Sequence, residues 1–284
     1  MPEPFALFTV DESGGSTVYR ATGIAASSWA PTMVGGFAVC GLIAHVMEPL
    51  CPEGFVPARL GVDMFSPVPV SGVSVTTHVI REGNRIVVAD ARVVEGEREV
   101  TRASVTFLRA TEEPPGEVWA RQRTPEPPPL DLHPATEGPF VPWFASDDDW
   151  SEAMGVLQNP GRKRMWQNGV PVVEQPEGTG PTAFERVAMI SDAASMVTHW
   201  GSEGVGFINA DVQLALCRLP DADGIGIEAD RQASYDGISV GVATIYDRRG
   251  VIGSVHVSAL ANARRQVDFS EVGAYTVDGQ RTSA

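Results

Sequence analysis

The segment at residues 35–48 carries apolar side chains on almost every side, and His45 and Glu48 are its only strongly polar members. A helix of this composition has no face for water, so other parts of the chain must surround it. Four segments rich in β-branched residues follow it, at residues 58–64, 73–80, 85–94 and 100–109. We therefore expect a buried helix enclosed by β-structure.

The segments after this helix alternate in polarity with a period of two residues. Val73 and Val75 alternate with Ser74 and Thr76, for example. Glycine-containing turns separate the last three segments, and such turns join antiparallel strands. The sequence therefore predicts an antiparallel sheet that curls around the helix, which is the hotdog arrangement.

The same order of elements recurs in the second half of the chain. A helical segment at residues 183–200 precedes extended segments at 206–217, 225–233, 237–246 and 251–261. Three pairs of positions are each 151 residues apart: Pro69 and Pro220, Gly96 and Asp247, and Leu108 and Ala259. A fixed offset with a repeated element order indicates an internal duplication. We expect an α+β double hotdog, with two tandem units that each wrap an antiparallel sheet around a long helix.

An acidic segment with nine prolines between residues 111 and 149 separates the two halves. Proline has no backbone N–H and stiffens the chain, so this segment is interpreted as a linker or surface belt without helix or strand. We predict an N-terminal hotdog at residues 1–110, a linker at 111–147 and a C-terminal hotdog at 148–284.

The charge of the chain excludes one class of partner and its composition argues against several others. The net charge is −15, so the overall field repels nucleic acid. The three cysteines and five histidines are scattered, which disfavours a disulfide framework and a metal site. The N-terminus has no basic signal-peptide region, and the longest apolar run is too short for a membrane span. We expect a cytoplasmic protein with no metal and no cofactor.

The helix predicted at residues 183–200 has an apolar half and a polar half. The polar half carries Asp192, Ser195 and His199, and it either faces solvent or a sheet edge or lines a site. These three residues imitate a serine triad by residue type. Triads are assembled from separate elements, however, so neighbouring positions on one helix disfavour a serine-nucleophile mechanism.

Four segments together resemble one family. The stretch WAPTMVGG at residues 29–36, with Ala38 and Leu42, resembles the opening motif of double-hotdog proteins of the acyl-CoA thioesterase II type, within the thioesterase-like superfamily. Residues 65–69 resemble its proline turn, residues 190–192 its second helix motif, and residues 207–211 the start of the next strand. The resemblance covers approximately residues 10–110 and 145–265.

The resemblance implies that acyl-CoA thioesters are hydrolysed to free acid and CoA. In the family, an aspartate, a threonine or asparagine, and a glutamine of the C-terminal hotdog position a water molecule. Asp192 matches the aspartate and Asn209 the second group. The glutamine position holds Val257 or Ser258, depending on a one-residue shift. Ser258 is therefore the third catalytic candidate, and the adjacent His256 is a polar candidate for substrate binding.

The N-terminal hotdog contributes candidates for substrate binding. Val34 stands where the family motif has a histidine. Gly35 and Gly36 allow the backbone to approach a ligand closely and expose N–H groups at a helix start. Their alternative role is tight packing of the helix on the sheet. An apolar channel is expected to receive the acyl chain, lined by Met189, Met196 and Trp200.

Other functions stay open. Without the motif glutamine and histidine, the protein could bind acyl-CoA or another hydrophobic ligand without turnover. A hydratase-type hotdog needs a coupled Asp/His pair, and the spacing of Asp192 and His199 does not match that signature. The basic run at residues 162–164, beside Trp166, is either a solvated charge run or a site for a CoA phosphate. A homodimer formed through exposed sheet faces is a further expectation.

Overall fold

The structure is a computed structural model that describes residues 5–119, 125–132, 142–147, 149–176, 179–221, 223–270, 272–275 and 281–283. The N-terminal half contains a short hairpin, one long helix and four long strands. Its elements are β1 (Phe8–Asp11), β2 (Val18–Ala21), a 3-10 turn (Gly23–Ala25), α1 (Gly36–Met47), a 3-10 turn (Glu48–Leu50), β3 (Phe55–Met64), β4 (Ser74–Glu82), β5 (Ile86–Glu95) and β6 (Arg98–Arg109).

The C-terminal half repeats this plan with a divided helix. Its elements are β7 (Trp143–Ala145), a 3-10 turn (Gly155–Leu157), β8 (Arg164–Gln167), α2 (Ala183–Ser191), α3 (Ala193–His199), β9 (Trp200–Gly201), β10 (Gly204–Val205), β11 (Phe207–Asn209), β12 (Asp211–Leu216), β13 (Ile225–Tyr235), β14 (Ile238–Asp247), β15 (Gly250–Ala261), β16 (Val272–Tyr275) and β17 (Arg281–Ser283). A capping box between Thr182 and Glu185 fixes the start of α2, because each side chain accepts a hydrogen bond from the other residue's backbone N–H.

The long strands of both halves form one antiparallel sheet, which has eleven strands in the described part of the chain. Its order is β4-β5-β6-β3-β12-β15-β14-β13-β8-β7, and β11 also pairs with β15. The halves meet where β3 pairs with β12. Leu60 lies opposite Leu214 there, and Val62 lies opposite Val212. All four side chains are buried, so a single core continues across the junction.

Helices α1 and α2 pack against each other in antiparallel orientation. Nδ1 of His45 lies 2.7 Å from Oε1 of Glu185 at one end of the pair. Gly36 lies against Asp192 at the other end. α1 has no polar face, and it is enclosed by α2 and the sheet, as its composition predicts.

The predicted α+β double hotdog is confirmed by this arrangement. Strands β4, β5 and β6 recur as β13, β14 and β15, and the first residues of β4 and β13, Ser74 and Ile225, are 151 positions apart. The helix predicted at residues 183–200 is interrupted at Asp192. No helix in the described residues is long and apolar enough to cross a membrane.

The proline-rich segment differs from the prediction at one point. β7 lies inside the predicted linker and pairs with β8 at the edge of the large sheet. The described residues before β7, at 110–119 and 125–132, contain neither helix nor strand. Arg248 donates from Nη1 to the backbone oxygen of Pro128 at 2.9 Å, so part of the segment lies on the C-terminal half. The unit boundaries at residues 110 and 147 stay a prediction.

Candidate active site

A cavity of about 840 Å3 lies where the start of α1 meets the junction of α2 and α3. Both hotdog units contribute to its walls, which are largely apolar. A cavity of this size and polarity, with a few convergent polar groups, is typical of a small-molecule site. Of the predicted site residues, seven line it: Val34, Gly35, Gly36, Met189, Asp192, Met196 and Asn209.

Asp192 occupies the break between α2 and α3. Its backbone is still helical, with φ −64° and ψ −25°, and its carboxylate lies against the first turn of α1, where the Phe37 backbone N–H donates to it. Nδ2 of Asn209 donates to Oδ1 of Asp192 at 3.2 Å. The side chain is half-buried, and it reaches solvent through the cavity that it lines. These contacts hold the carboxylate in one orientation at the cavity wall.

The environment of Asp192 shifts its acidity in two opposing directions. Burial disfavours the charged form and raises the pKa of the carboxyl to about 6. The hydrogen bonds from Asn209 and from the Phe37 backbone N–H favour the charged form and limit that rise in pKa. Asp192 is therefore ionised at neutral pH and still a stronger base than an ordinary aspartate.

Gly36 makes the approach of α1 to this carboxylate possible. A Cβ at position 36 would lie 2.6 Å from Cγ of Asp192, which is closer than any real contact. The approach also brings the carboxylate to the positive end of the α1 dipole. Gly35 precedes the helix as its N-cap, and its N–H donates to the Ala25 oxygen at 2.8 Å. The glycine pair therefore serves both close packing and the site.

Asn209 ends β11 and is held by both halves of the molecule. Besides Asp192, its Nδ2 lies 3.4 Å from the Asp211 backbone oxygen and 4.0 Å from Sδ of Met64. β11 is fixed to β15, since Asn209 lies opposite Ala259. An amide in this position orients the carboxylate and can also contact a ligand in the cavity.

Comparison with protein families assigns both halves of the chain. Residues 25–108 match the acyl-CoA thioesterase N-terminal domain, and residues 124–260 match the acyl-CoA thioesterase C-terminal domain. The chain belongs to the acyl-CoA thioesterase family. No curated protein sequence matches it.

Solved structures share the fold of this family member at low sequence identity. The tesB protein of Mycobacterium avium subsp. paratuberculosis is 14% identical with a TM-score of 0.63, over 89% of this chain and 95% of that one. The acyl-CoA thioesterase II TesB2 of Mycobacterium marinum is 14% identical with a TM-score of 0.57, over 90% and 96%. A hotdog-fold protein from Alicyclobacillus acidocaldarius is 12% identical with a TM-score of 0.64, over 90% and 96%.

Two predicted site residues of this thioesterase family member lie elsewhere. Ser258 and His256 in β15 are exposed on the outer face of the sheet, whereas Val257 between them is buried and faces Thr198 of α3. The backbone N–H of Ser258 donates to Oδ1 of Asp211 at 2.6 Å. Alternate residues of a strand face opposite sides, so neither polar side chain reaches the cavity.

The residues considered for a triad or a hydratase pair are engaged in other contacts. Nδ1 of His199 lies 2.9 Å from the Ser195 backbone oxygen, and its Nε2 lies 2.9 Å from Oγ of Ser239. Burial lowers the pKa of this imidazole. His199 thus contacts neither the Ser195 hydroxyl nor Asp192. In the described residues, no group of three or more His, Cys, Asp and Glu side chains could hold a metal ion.

The basic run near residue 163 is part of the folded structure, and Arg162 and Arg164 line a small cavity together with the acidic Asp147 and Glu228. Lys163 is buried, and its Nζ donates to the backbone oxygen and Oδ1 of Asn159 at 2.8 and 2.9 Å. Arg162 forms an ion pair with Glu228. Trp166 is buried, and so is Trp200, which packs between Phe144 and Phe269 and does not line the cavity.

Sequence reasoning missed most of the methionines that form the cavity wall. Six of the eight methionines line it: Met33, Met64, Met154, Met165, Met189 and Met196. The four that were missed, Met33, Met64, Met154 and Met165, come from four different segments of the chain, so no local period in the sequence connects them. Methionine is flexible and polarisable, which gives this wall an adaptable shape.

Proposed function

We propose that this protein hydrolyses acyl-CoA thioesters to the free acid and CoA, as part of lipid metabolism in the cytoplasm. The observation that carries the proposal is the hydrogen-bonded pair of Asp192 and Asn209 at the wall of a large apolar cavity. Membership of the acyl-CoA thioesterase family supports the substrate class. The apolar cavity suits the acyl chain, and the pair suits a hydrolytic water.

Asp192 acts as the general base of the reaction. With a pKa of about 6, its carboxylate is ionised at neutral pH and accepts a proton from a water molecule. The water oxygen then forms a bond to the thioester carbonyl carbon. General-base assistance of this kind contributes about 10²–10⁴-fold to the rate. Asn209 keeps the carboxylate aimed at the water.

The attack leaves negative charge on the former carbonyl oxygen. The first turn of α1, beside Gly36, offers the positive end of a helix dipole at the same wall of the cavity. When the tetrahedral intermediate collapses, the carbon–sulfur bond breaks. The proton held by Asp192 passes to the departing sulfur, so that the products are the acid and the CoA thiol and the carboxylate is restored.

A second candidate function is binding of acyl-CoA without turnover. The buried, apolar Val257 favours it, because the family places a glutamine at or next to this position. The pair of Asp192 and Asn209 favours hydrolysis, since a mere binding cavity gains nothing from a carboxylate of raised pKa at its wall.

The test is release of free thiol from a panel of acyl-CoAs of short, medium and long chain. We expect wild-type protein to release thiol and Asp192→Asn to be slower by about 10²-fold or more. His256→Ala is the control, because His256 is exposed outside the cavity and its removal should leave the rate unchanged.

Each outcome of this test discriminates between the hypotheses. Absence of thiol release at every chain length rejects the hydrolase, and tight binding of the same acyl-CoAs then supports the binding protein. Equal rates for wild type and Asp192→Asn reject Asp192 as the base while leaving the hydrolase in place.

A further inference from the structure

The cavity has an opening marked by two large apolar side chains. Phe65 and Leu260 both line the cavity, yet they are 55% and 52% exposed. They lie at the same end of the sheet, on either side of Ile208. The N–H of Met64, which precedes Phe65, donates to the Ala210 oxygen at 2.8 Å, and Ile208 lies opposite Leu260. Asn209, the residue after Ile208, lines the same cavity.

Basic side chains stand on both sides of this opening. On one side, Nη2 of the exposed Arg98 donates to Oγ of Ser66 at 2.5 Å, and Ser66 lines the cavity next to Phe65. On the other side, Arg264 and Arg265 are exposed in the turn that follows Leu260. That turn returns to the cavity at Val267, so both of its ends belong to the cavity wall.

Backbone hydrogen bonds fix the turn that carries the two arginines. The N–H of Asn262 donates to the Gly206 oxygen at 2.7 Å, and the N–H of Arg265 donates to the Asn262 oxygen at 3.1 Å. The N–H of Val267 donates to the Val205 oxygen at 3.0 Å. The backbone that carries the arginines is therefore held at the rim, so that mainly their side chains lose conformational entropy when they meet a ligand.

The turn at residues 262–267 has the opposite charge to the molecule, because it carries two arginines and no acidic residue, whereas Arg98 lies between Glu97 and Glu99. With a net charge of −15, the protein repels anions at a distance, so an anionic ligand needs local positive charge. The nearest acidic neighbour along the turn, Asp268, is already engaged. Its Oδ1 accepts hydrogen bonds from Nε2 of Gln158 and from the N–H of Ser270, each at 2.8 Å.

We propose that Arg98, Arg264 and Arg265 bind the phosphate groups of CoA at the rim, while the pantetheine arm enters between Phe65 and Leu260. Guanidinium groups suit this task because their planar N–H donors match phosphate oxygens in pairs. The inference rests on the proposed function, since it concerns the same substrate. It adds a separate site for the nucleotide end of CoA, at the rim and apart from the Asp192 pair.

The two sites affect different kinetic constants. The rim arginines hold a part of the substrate that does not react, and uniform binding of that part lowers KM without raising kcat. A thioester that lacks the nucleotide should be insensitive to them. S-octanoyl-pantetheine has the same acyl group and thioester as octanoyl-CoA and ends before the phosphates, so the two substrates separate the rim from the catalytic pair.

The experiment compares both substrates with Arg264→Ala/Arg265→Ala, alone and combined with Arg98→Ala. We expect KM for octanoyl-CoA to rise about tenfold in the double variant and further in the triple variant, with kcat unchanged. KM for S-octanoyl-pantetheine should not change. Added salt should reduce the difference in KM for octanoyl-CoA between wild type and variants, because it screens the attraction of the arginines for phosphate.

Arg81→Ala/Arg85→Ala is the matched control. It removes the same charge from exposed positions at the other end of the strands, where β4 turns into β5, and should leave both KM values unchanged. An unchanged KM for octanoyl-CoA in the rim variants, or an equal rise for both substrates, overturns the inference. If wild-type protein hydrolyses neither substrate, the proposed function fails by itself. Calorimetry with CoA then tests the rim, and equal affinity of wild type and variants overturns it.

Discussion

The two ends of the antiparallel α1–α2 pair each hold a carboxylate beside the start of a helix, and only one of these carboxylates opens into the cavity. Glu185, in the first turn of α2, is 2% exposed and uses one oxygen for His45 and the other for the Thr182 N–H. Asp192, at the start of α1, accepts from Asn209 and the Phe37 N–H and still faces the cavity.

The difference is between a carboxylate that is closed into the fold and one that lines the cavity. At the Glu185 end, both carboxylate oxygens are engaged by hydrogen-bond partners and the side chain is buried. At the Asp192 end, Gly36 gives the carboxylate room, and Asp192 lines the cavity. Burial raises the pKa of this carboxyl, and the carboxylate faces a cavity large enough for a ligand. Three predictions test this contrast.

The largest effect is expected from a methyl group at the start of α1. Gly36→Ala would displace the Asp192 carboxylate, and a displacement of about 1 Å at a catalytic group costs up to about 10²-fold in rate. Gly41→Ala is the matched change further along α1. Its Cβ would lie 2.7 Å from Cγ of the buried Met189 and not against the carboxylate, so kcat should fall less.

Thiol release from acyl-CoA measures both glycine variants, and circular dichroism checks that their helices are intact. Alanine favours helix over glycine, so a loss of activity in Gly36→Ala cannot be ascribed to loss of α1. Equal kcat values for the two variants would contradict the contrast between the two positions.

A smaller effect is expected on the free energy of unfolding, with opposite sign for variants at the two ends of the α1–α2 pair. Folding raises the pKa of Asp192 to about 6, so the protonated carboxyl is favoured in the folded state. The contribution of this group to the free energy of unfolding is therefore complete below pH 4 and is lost as the pH rises through 6. Asp192→Asn should therefore be more stable than wild type by about 2–3 kcal/mol at pH 8. The difference should vanish near pH 4.

Glu185→Ala should instead destabilise the protein by about 1–3 kcal/mol, because it removes a capping-box partner and the acceptor for His45. Its kcat should stay at the wild-type value. Urea denaturation at pH 4 and pH 8 measures the free energy of unfolding of both variants. Destabilisation of Asp192→Asn at pH 8 would show that the two carboxylates play the same structural role.

Much of the architecture could be predicted from the sequence, because the long segments obey physical constraints that can be recognised in their residue patterns. A helix with no polar face at residues 36–47 requires enclosure, and alternation in the strands specifies which faces are buried. The 151-residue offset made the second half predictable from the first. Gly35, Gly36, Asp192 and Asn209 followed from a resemblance spread over both halves, and all four line one cavity.

The features that could not be predicted depend on strand register and on contacts between segments that are distant in the sequence. A shift of one residue in β15 moves a side chain to the opposite face, so the sequence could not decide between Val257 and its polar neighbours His256 and Ser258. The environment of the Asp192 carboxyl depends on such contacts as well, since the N–H of Phe37 and the amide of Asn209 come from other segments of the chain.

The smallest effect concerns how far the hydrogen bond from Asn209 lowers the pKa of Asp192. The wild-type rate should rise with pH through about 6 and then level off, since Asp192 accepts a proton only when ionised. The hydrogen bond from Asn209 lowers the pKa of this carboxyl, so Asn209→Ala should move the midpoint to higher pH, by less than about one unit.

Ser195→Ala is the control, because Ser195 lines the same cavity and does not bond the carboxylate through its side chain. Profiles of kcat against pH for the three proteins give the midpoints. A midpoint that stays in place when Asn209 is removed would mean that Asn209 contacts the ligand and does not tune Asp192, and the burial of the carboxyl alone would then set its basicity.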